Sequence, residues 1–340
     1  MKIVRNYNLS RLNTFGILAQ AKFFVEINNK ADLKELFIAP EFKNNEKFFL
    51  GGGSNILFTT DYDGIVVLNK IKGIEILKET DTEVLLKSRS GEVWHELVLL
   101  VVDRGWWGIE NLAFIPGTVG ATPMQNIGAY GAELKNILEN VEACDIENGQ
   151  KRIFTREECE LGYRDSVFKN NLKDKYFITS VTLRLSKLLK PNISYKILKE
   201  YLENNPPVGG EVKSPKEVSD AVTAIRKSKL PDPKVIGNAG SFFKNIFVDP
   251  EKLKKLQENW PDIPHFTEDG VVKIPSGWLI EQCGFKGVRF GNVGVHDKQA
   301  LVIVNHGGAT GAEIRDLAMK IIDSVQAKFD LRLVPEVNLI

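Results

Sequence analysis

Short apolar runs separated by polar stretches mark the first half of the chain. Ile65-Val66-Val67-Leu68 and Val84-Leu85-Leu86 have the length and branching of strands. Phe177, Thr179, Val181, Leu183 and Leu185 alternate with more polar neighbours, a period of two that predicts a half-buried strand. Between these, residues 92–104 read as a helix that Gly105 ends. A different pattern begins at Ser214-Pro215-Lys216-Glu217, which has the form of a capping box with proline in the first turn. Val218, Ala221, Val222 and Ile225 then recur at helical spacing, and Pro231 and Pro233 stop the helix near Leu230. A last helix is predicted from a second capping box, Thr310 with Glu313, with Ile314, Leu317, Ala318, Ile321, Ile322 and Val325 on its apolar face. A strand is expected after it at residues 331–334.

The Pro- and Gly-rich stretch 204–210 is the clearest loop, because neither residue supports regular structure there. The pattern therefore predicts three parts: a mixed α/β region over residues 1–188, a linker or insertion over 189–213, and a compact C-terminal domain over 214–340. A chain of 340 residues, 43% hydrophobic and 26% charged, has room for those parts and an ordinary globular composition. Lys and Arg total 45 against 44 for Asp and Glu, which gives no electrostatic reason to expect nucleic acid or a membrane surface as partner. The longest apolar run, residues 97–102, is too short to span a bilayer, and the N-terminus lacks the apolar stretch of a signal peptide. The three cysteines, Cys144, Cys159 and Cys283, are sparse and unpaired in spacing, as in a reducing compartment. These features together point to the cytoplasm. His95, His265, His296 and His306 show no metal-ligand spacing, so no metal is expected.

Two glycine-rich segments are the first candidates for chemistry. In Gly51-Gly52-Gly53-Ser54-Asn55 three bare residues let main-chain N–H groups wrap an anion, and two short side chains add donors; a flexible turn is the plainer alternative. The second segment, residues 115–131, contains Ile115, Pro116, Gly117, Thr118, Gly120, Ala121, Gln125, Asn126, Ile127, Gly128, Ala129, Tyr130 and Gly131. It is too apolar for a solvated linker and too rich in glycine for a core strand. Main chain threaded around a large, partly apolar ligand meets both constraints, and two such cradles suggest a dinucleotide bound without a GxGxxG fingerprint. Ser241, between Gly240 and two phenylalanines, could be held in a dry pocket or simply cap a strand. No GxSxG elbow is present, so the hydroxyl is better suited to giving a proton than to nucleophilic attack. Glu336 stands between Pro335 and Val337, where burial would raise its pKa and keep it protonated. Arg164 in Gly162-Tyr163-Arg164-Asp165-Ser166 could form an ordinary ion pair. Arg226, Lys227 and Lys229 suit a helix C-terminus, or else a diphosphate that Lys234 could also reach.

With these pieces together, the chain resembles the UDP-N-acetylenolpyruvoylglucosamine reductases. Matching segments run nearly end to end, among them Asn13-Thr14-Phe15-Gly16, Gly51 to Asn55, Glu110-Asn111-Leu112, residues 115–131, Gly162 to Ser166, Leu230-Pro231-Asp232-Pro233-Lys234, Gly240 to Asn245, Gly277-Trp278-Leu279-Ile280 and Pro335-Glu336-Val337. One departure is Ile246, where the family has a proline. The resemblance implies an α+β fold: a two-part FAD-binding module of the vanillyl-alcohol-oxidase/p-cresol-methylhydroxylase type, then a C-terminal α+β substrate domain. Ser194-Tyr195 and the 190–210 insertion look like the family's type I form. It further implies non-covalent FAD held by the two glycine segments, NADPH as reductant, UDP-N-acetylglucosamine enolpyruvate as substrate, and a monomer. By the same resemblance Arg164, Ser241 and Glu336 are catalytic, the first and last as donors to the substrate carboxylate and Ser241 as general acid. Lys229, Asn245, Tyr195 and Gln299, with Arg226 and Tyr163, are the expected substrate contacts. Two rivals remain open: an oxidase of the same fold, many of which tether flavin to a histidine absent from residues 50–60 here, and a sugar-nucleotide-binding protein without catalysis.

Overall fold

A computed structural model describes residues 1–268 and 270–340. The chain divides into two compact units, the first comprising residues 1–7, 20–53 and 62–228, the second residues 8–19, 54–61 and 229–340.

The first unit contains two sheets. In one, Tyr62–Asn69 runs parallel to both Gln20–Ile27 and Lys47–Leu50, with Val4–Asn8 at the edge. The apolar run at residues 65–68 is continuous rather than alternating because this central strand is covered on both faces. Helix Lys30–Ile38, whose N-cap Asn29 accepts the N–H groups of Ala31 and Asp32, buries Leu33 and Leu36 against Phe23, Val25 and Val67. The other sheet is five-stranded and antiparallel, in the order Lys151–Thr155, Leu138–Asp145, Tyr176–Ser186, Glu83–Arg89, Ile74–Glu79.

The strand expected to be half-buried is central in this second sheet. Its nominally outward residues Ile178, Ser180 and Thr182 are buried as well, since both faces are covered. The helix expected at 92–104 forms over Trp94–Asp103, and Gly105, at a φ of +74°, ends it. Trp94, Leu97, Val98 and Val101 from that helix share one core with Val218, Ala221, Val222 and Ile225 of helix Pro215–Lys229. The stretch 204–210 therefore joins two helices of the first unit, Lys196–Asn204 and Pro215–Lys229, and the unit changes after Ser228 rather than within 189–213. A composition shift there marks a turn, because the apolar stripe that follows it is buried in the same core as the helix 94–103.

The second unit holds an antiparallel sheet in the order Gly237–Ser241, Val302–Asn305, Val293–Val295, Arg289–Phe290, and a three-stranded one of Ile246–Val248, Val271–Ile274 and Phe266–Glu268. Phe15, Ile17 and Leu57, far away in sequence, join its core. Helix Gly311–Phe329 starts at the expected capping box, with both reciprocal bonds between Thr310 and Glu313 formed. No regular strand forms at 331–334. That segment is extended, with Lys244 N–H donating to Val334 O and one antiparallel bridge between Phe243 and Pro335, and the strand comes later, at Asn338–Leu339, parallel to Ile56–Leu57.

Candidate active site

The two glycine segments of the first unit face each other. A methyl group on Gly51 would stand 2.5 Å from the Thr118 hydroxyl, and one on Gly52 would stand 2.7 Å from the Cα of Gly117. A methyl on Gly120 would meet Ser90 Cβ at 2.5 Å, while Gly120 N–H donates to Ser90 O. Only bare main chain allows this approach. Thr118 Oγ1 is buried and meets no hydrogen-bond partner among the described residues. A buried hydroxyl beside closely laid glycine backbone suits a ligand with polar oxygens and a flat ring, and the residues therefore fit FAD. Ser54 and Asn55 belong to the second unit, where the Asn55 carboxamide donates to Glu336 O at 3.2 Å.

The rest of the 115–131 segment leads into a cationic cluster. Arg164 donates to Gly128 O at 3.1 Å, and its guanidinium stands 5.7 Å from the Tyr163 ring centre. Burial acts first to push the Arg226 guanidinium below its ordinary range; Arg164 adds to this and Tyr130 opposes it. Arginine stays charged nonetheless, so two cations are held near each other. Burial pushes the Tyr130 phenol up, with Arg226 opposing and Tyr195 reinforcing. The Tyr130 and Tyr195 rings meet edge-to-face at 5.5 Å, although Tyr195 itself is 42% exposed. Paired guanidiniums flanked by phenols can bind a carboxylate or phosphate.

The main chain here is strained in the same place. Phe114, Asn126, Tyr130 and Arg164 are four of the eight non-glycine residues at positive φ among the described residues. Asn126, expected as a flavin contact, places its buried carboxamide on protein partners: it donates to Glu133 Oε2 at 2.9 Å and Gly162 O at 3.0 Å, and accepts from Lys135 N–H at 2.9 Å. Ser166 donates to Met124 O at 2.7 Å. Together these tie the loop bearing Arg164 to the cradle segment. Asn111, in the short 3-10 turn Glu110–Leu112, donates to both Tyr130 O and Asn192 O at 2.8 Å. Asn192 in turn donates to Gly131 O at 3.0 Å. The three asparagines are isolated in the chain, at 111, 126 and 192, so spacing alone could not assign them to partners.

In the second unit, Ser241 ends strand Gly237–Ser241 opposite Val302, after a bulge at Gly240 with a φ of +69°. Asn238 shapes that bulge, accepting from Gly240 N–H at 2.9 Å and donating to Ile236 O at 2.9 Å. Glu336 N–H donates to Phe242 O at 2.8 Å, so the segments bearing Ser241 and Glu336 run side by side, and Glu336 is only 9% exposed. Gln299 stands in the same sheet region, its backbone O accepting from Val302 N–H at 3.0 Å. Asn245 accepts from Ser276 N–H at 3.1 Å. Lys229, half-buried, stands at the end of helix Pro215–Lys229 and belongs to the second unit, whereas Arg164, Tyr163, Tyr195 and Arg226 belong to the first. Among the described residues no group of three or more His, Cys, Asp or Glu is placed to hold a metal, and no helix is long and apolar enough to cross a membrane.

Comparison with known proteins agrees with this geometry. A family model described as an FAD binding domain matches residues 21–153, which include both glycine segments. One for the C-terminal domain of UDP-N-acetylenolpyruvoylglucosamine reductase matches residues 232–340. The reductase of that name from Flavobacterium johnsoniae is 46% identical over 100% of both chains, and that from Amoebophilus asiaticus 47% identical over 100% of both. The crystal structure of the Thermus caldophilus enzyme, 22% identical, matches 99% of this chain and 98% of its own with a TM-score of 0.65, which establishes the shared fold. With relatives this similar along its entire length, the chain belongs to the UDP-N-acetylenolpyruvoylglucosamine reductase family and is an FAD-dependent oxidoreductase of peptidoglycan precursor synthesis.

Proposed function

We propose that the chain reduces the enolpyruvyl group of UDP-N-acetylglucosamine enolpyruvate to give UDP-N-acetylmuramate in the cytoplasm, using NADPH. The observation that carries this reading is the gathering of Arg164, Arg226, Tyr130 and Tyr195 around the end of the glycine segment 115–131. Fixed cations continuous with a flavin cradle suit an anionic substrate that must present one carbon to the flavin. The names of the full-length relatives supply the substrate.

FAD, when bound, supplies the hydride, taken from NADPH and delivered to C3 of the enolpyruvyl group. Negative charge then builds at C2 and spreads into a carboxylate that is already anionic, so donors fixed at that carboxylate lower the barrier most. Arg164 and Glu336 serve as those donors. Ser241 gives its hydroxyl proton to C2, and the bulge at Gly240 fixes the main chain from which that hydroxyl projects. Tyr195, Arg226, Lys229, Asn245, Gln299 and Tyr163 bind the sugar nucleotide, and Ser54, Asn55 and the glycine main chain serve the cofactor.

The test is a flavin spectrum of the purified protein, followed by NADPH oxidation with and without the enolpyruvyl sugar nucleotide. Oxidation that depends on the sugar nucleotide supports the reading. A colourless protein, flavin that stays with acid-precipitated protein, or oxidation indifferent to the sugar nucleotide overturns it.

A further inference from the structure

His95 lies outside every motif that the proposed chemistry uses, in the first turn of helix Trp94–Asp103. Its Nδ1 accepts the Phe114 N–H at 3.0 Å, and the two rings meet edge-to-face at 5.6 Å. Phe114 is in the left-handed region, at a φ of +58°, immediately before the cradle segment. A large aromatic residue reaches that conformation only at a cost in strain, so something must hold it. The Phe114 carbonyl, on the far side of the same residue, accepts from Arg226 Nε at 3.1 Å. Lys227 on the same helix stands 5.4 Å from the Phe114 ring centre. One twisted residue is thus gripped at its N–H by an imidazole and at its C=O by a guanidinium.

We infer that His95 is a positioning residue for anion binding: by accepting the Phe114 N–H it holds the left-handed turn whose carbonyl aims the Arg226 guanidinium. The inference rests on the reading of Arg226 as a substrate contact. The imidazole must be neutral at Nδ1 to accept. Burial first, then Lys227 and Arg226, push its pKa below the ordinary histidine value, against the weaker opposite pull of Glu96. The cations around it therefore protect the acceptor rather than compete with it.

Steady-state kinetics of the FAD-loaded enzyme test this with His95→Ala, His95→Leu and His95→Asn beside Arg226→Ala. Asparagine can offer its Oδ1 near the place of Nδ1; leucine fills the space without an acceptor. With flavin content unchanged, His95→Ala and His95→Leu should raise KM for the enolpyruvyl sugar nucleotide about tenfold with kcat preserved, as loss of a supporting partner of a binding group does. His95→Asn should restore most of that KM, and His95→Ala should add nothing in the Arg226→Ala background. Rescue by leucine as full as by asparagine would make His95 mere packing and overturn the inference. So would an unchanged KM in His95→Ala when Arg226→Ala raises it. An unchanged KM in Arg226→Ala alone would defeat the underlying reading of Arg226, and that result is distinguishable because it arises without touching His95. If His95→Ala does not fold, the comparison of leucine with asparagine decides the matter.

Discussion

Ser241 carries the proposal's sharpest residue-scale consequence, because a hydroxyl that only delivers a proton to substrate takes no part in the step before it. In Ser241→Ala, stopped-flow reduction of the flavin by NADPH should run at the parental rate, while reoxidation by the enolpyruvyl sugar nucleotide slows by about 10²-fold or more. Equal slowing of both phases would remove Ser241 from its role. The same separation applies to Glu336, which is buried with its N–H on Phe242 and its carbonyl held by Asn55. Both main-chain bonds survive substitution, so a change in rate in Glu336→Gln reports on the carboxyl itself. Neither role was readable from local sequence: a serine after glycine and a glutamate between proline and valine each fit a structural bond equally well, and only the antiparallel crossing near Phe243 and Pro335 makes them neighbours.

Elements rather than single groups decide whether the cofactor is held. Segments 51–53 and 117–120 approach so closely that Gly52→Ala drives a methyl to within 2.7 Å of main chain that cannot step aside. Overpacking of this kind costs about 1–3 kcal/mol, which corresponds to roughly five- to 150-fold weaker FAD binding. Titration of the apoprotein with FAD measures it; unaltered affinity would mean that the two segments do not form the cradle. The capping box of helix Gly311–Phe329 gives a contrasting case, in which an element's stability rests on a local device. Thr310→Ala should lower unfolding free energy by about 1 kcal/mol in urea without altering flavin affinity. Both capping residues were legible in the sequence because the bonds span three positions. The domain boundary was not, since the stripe on helix Pro215–Lys229 says that one face is buried but not against which partner.

At the largest scale Glu110 is one of several contributors to the pH dependence of stability; it is 1% exposed and accepts the Gly108 N–H at 2.6 Å. Burial first pushes its carboxyl above the ordinary value of 4.5, against the N–H groups of its own residue, Gly108 and Ile109. The folded chain thus keeps this proton longer than the unfolded one does. The stabilisation is complete below pH 4.5 and is lost as pH rises through the folded-state value. Glu110→Gln, neutral throughout, should therefore gain in Tm over the parent as pH rises toward neutrality; a gap that stays constant with pH would assign the titration elsewhere. Local patterns in the chain were enough to locate three of the helices, the apolar strands and two glycine-rich stretches that could hold a cofactor, and its motifs were enough to mark the family. These depend on interactions within a few residues, or on patterns that carry no coordinates. Tertiary structure alone decided that Arg164 and Arg226 share one cluster, that Asn126 and Asn111 brace it, that residues 8–19 complete the core of the second unit, and that Phe114 is twisted into the left-handed region. Such outcomes join positions tens to hundreds of residues apart. Their geometry is set by close packing and by the requirement that every buried polar group find a partner, and no local window of the chain contains both ends of those contacts.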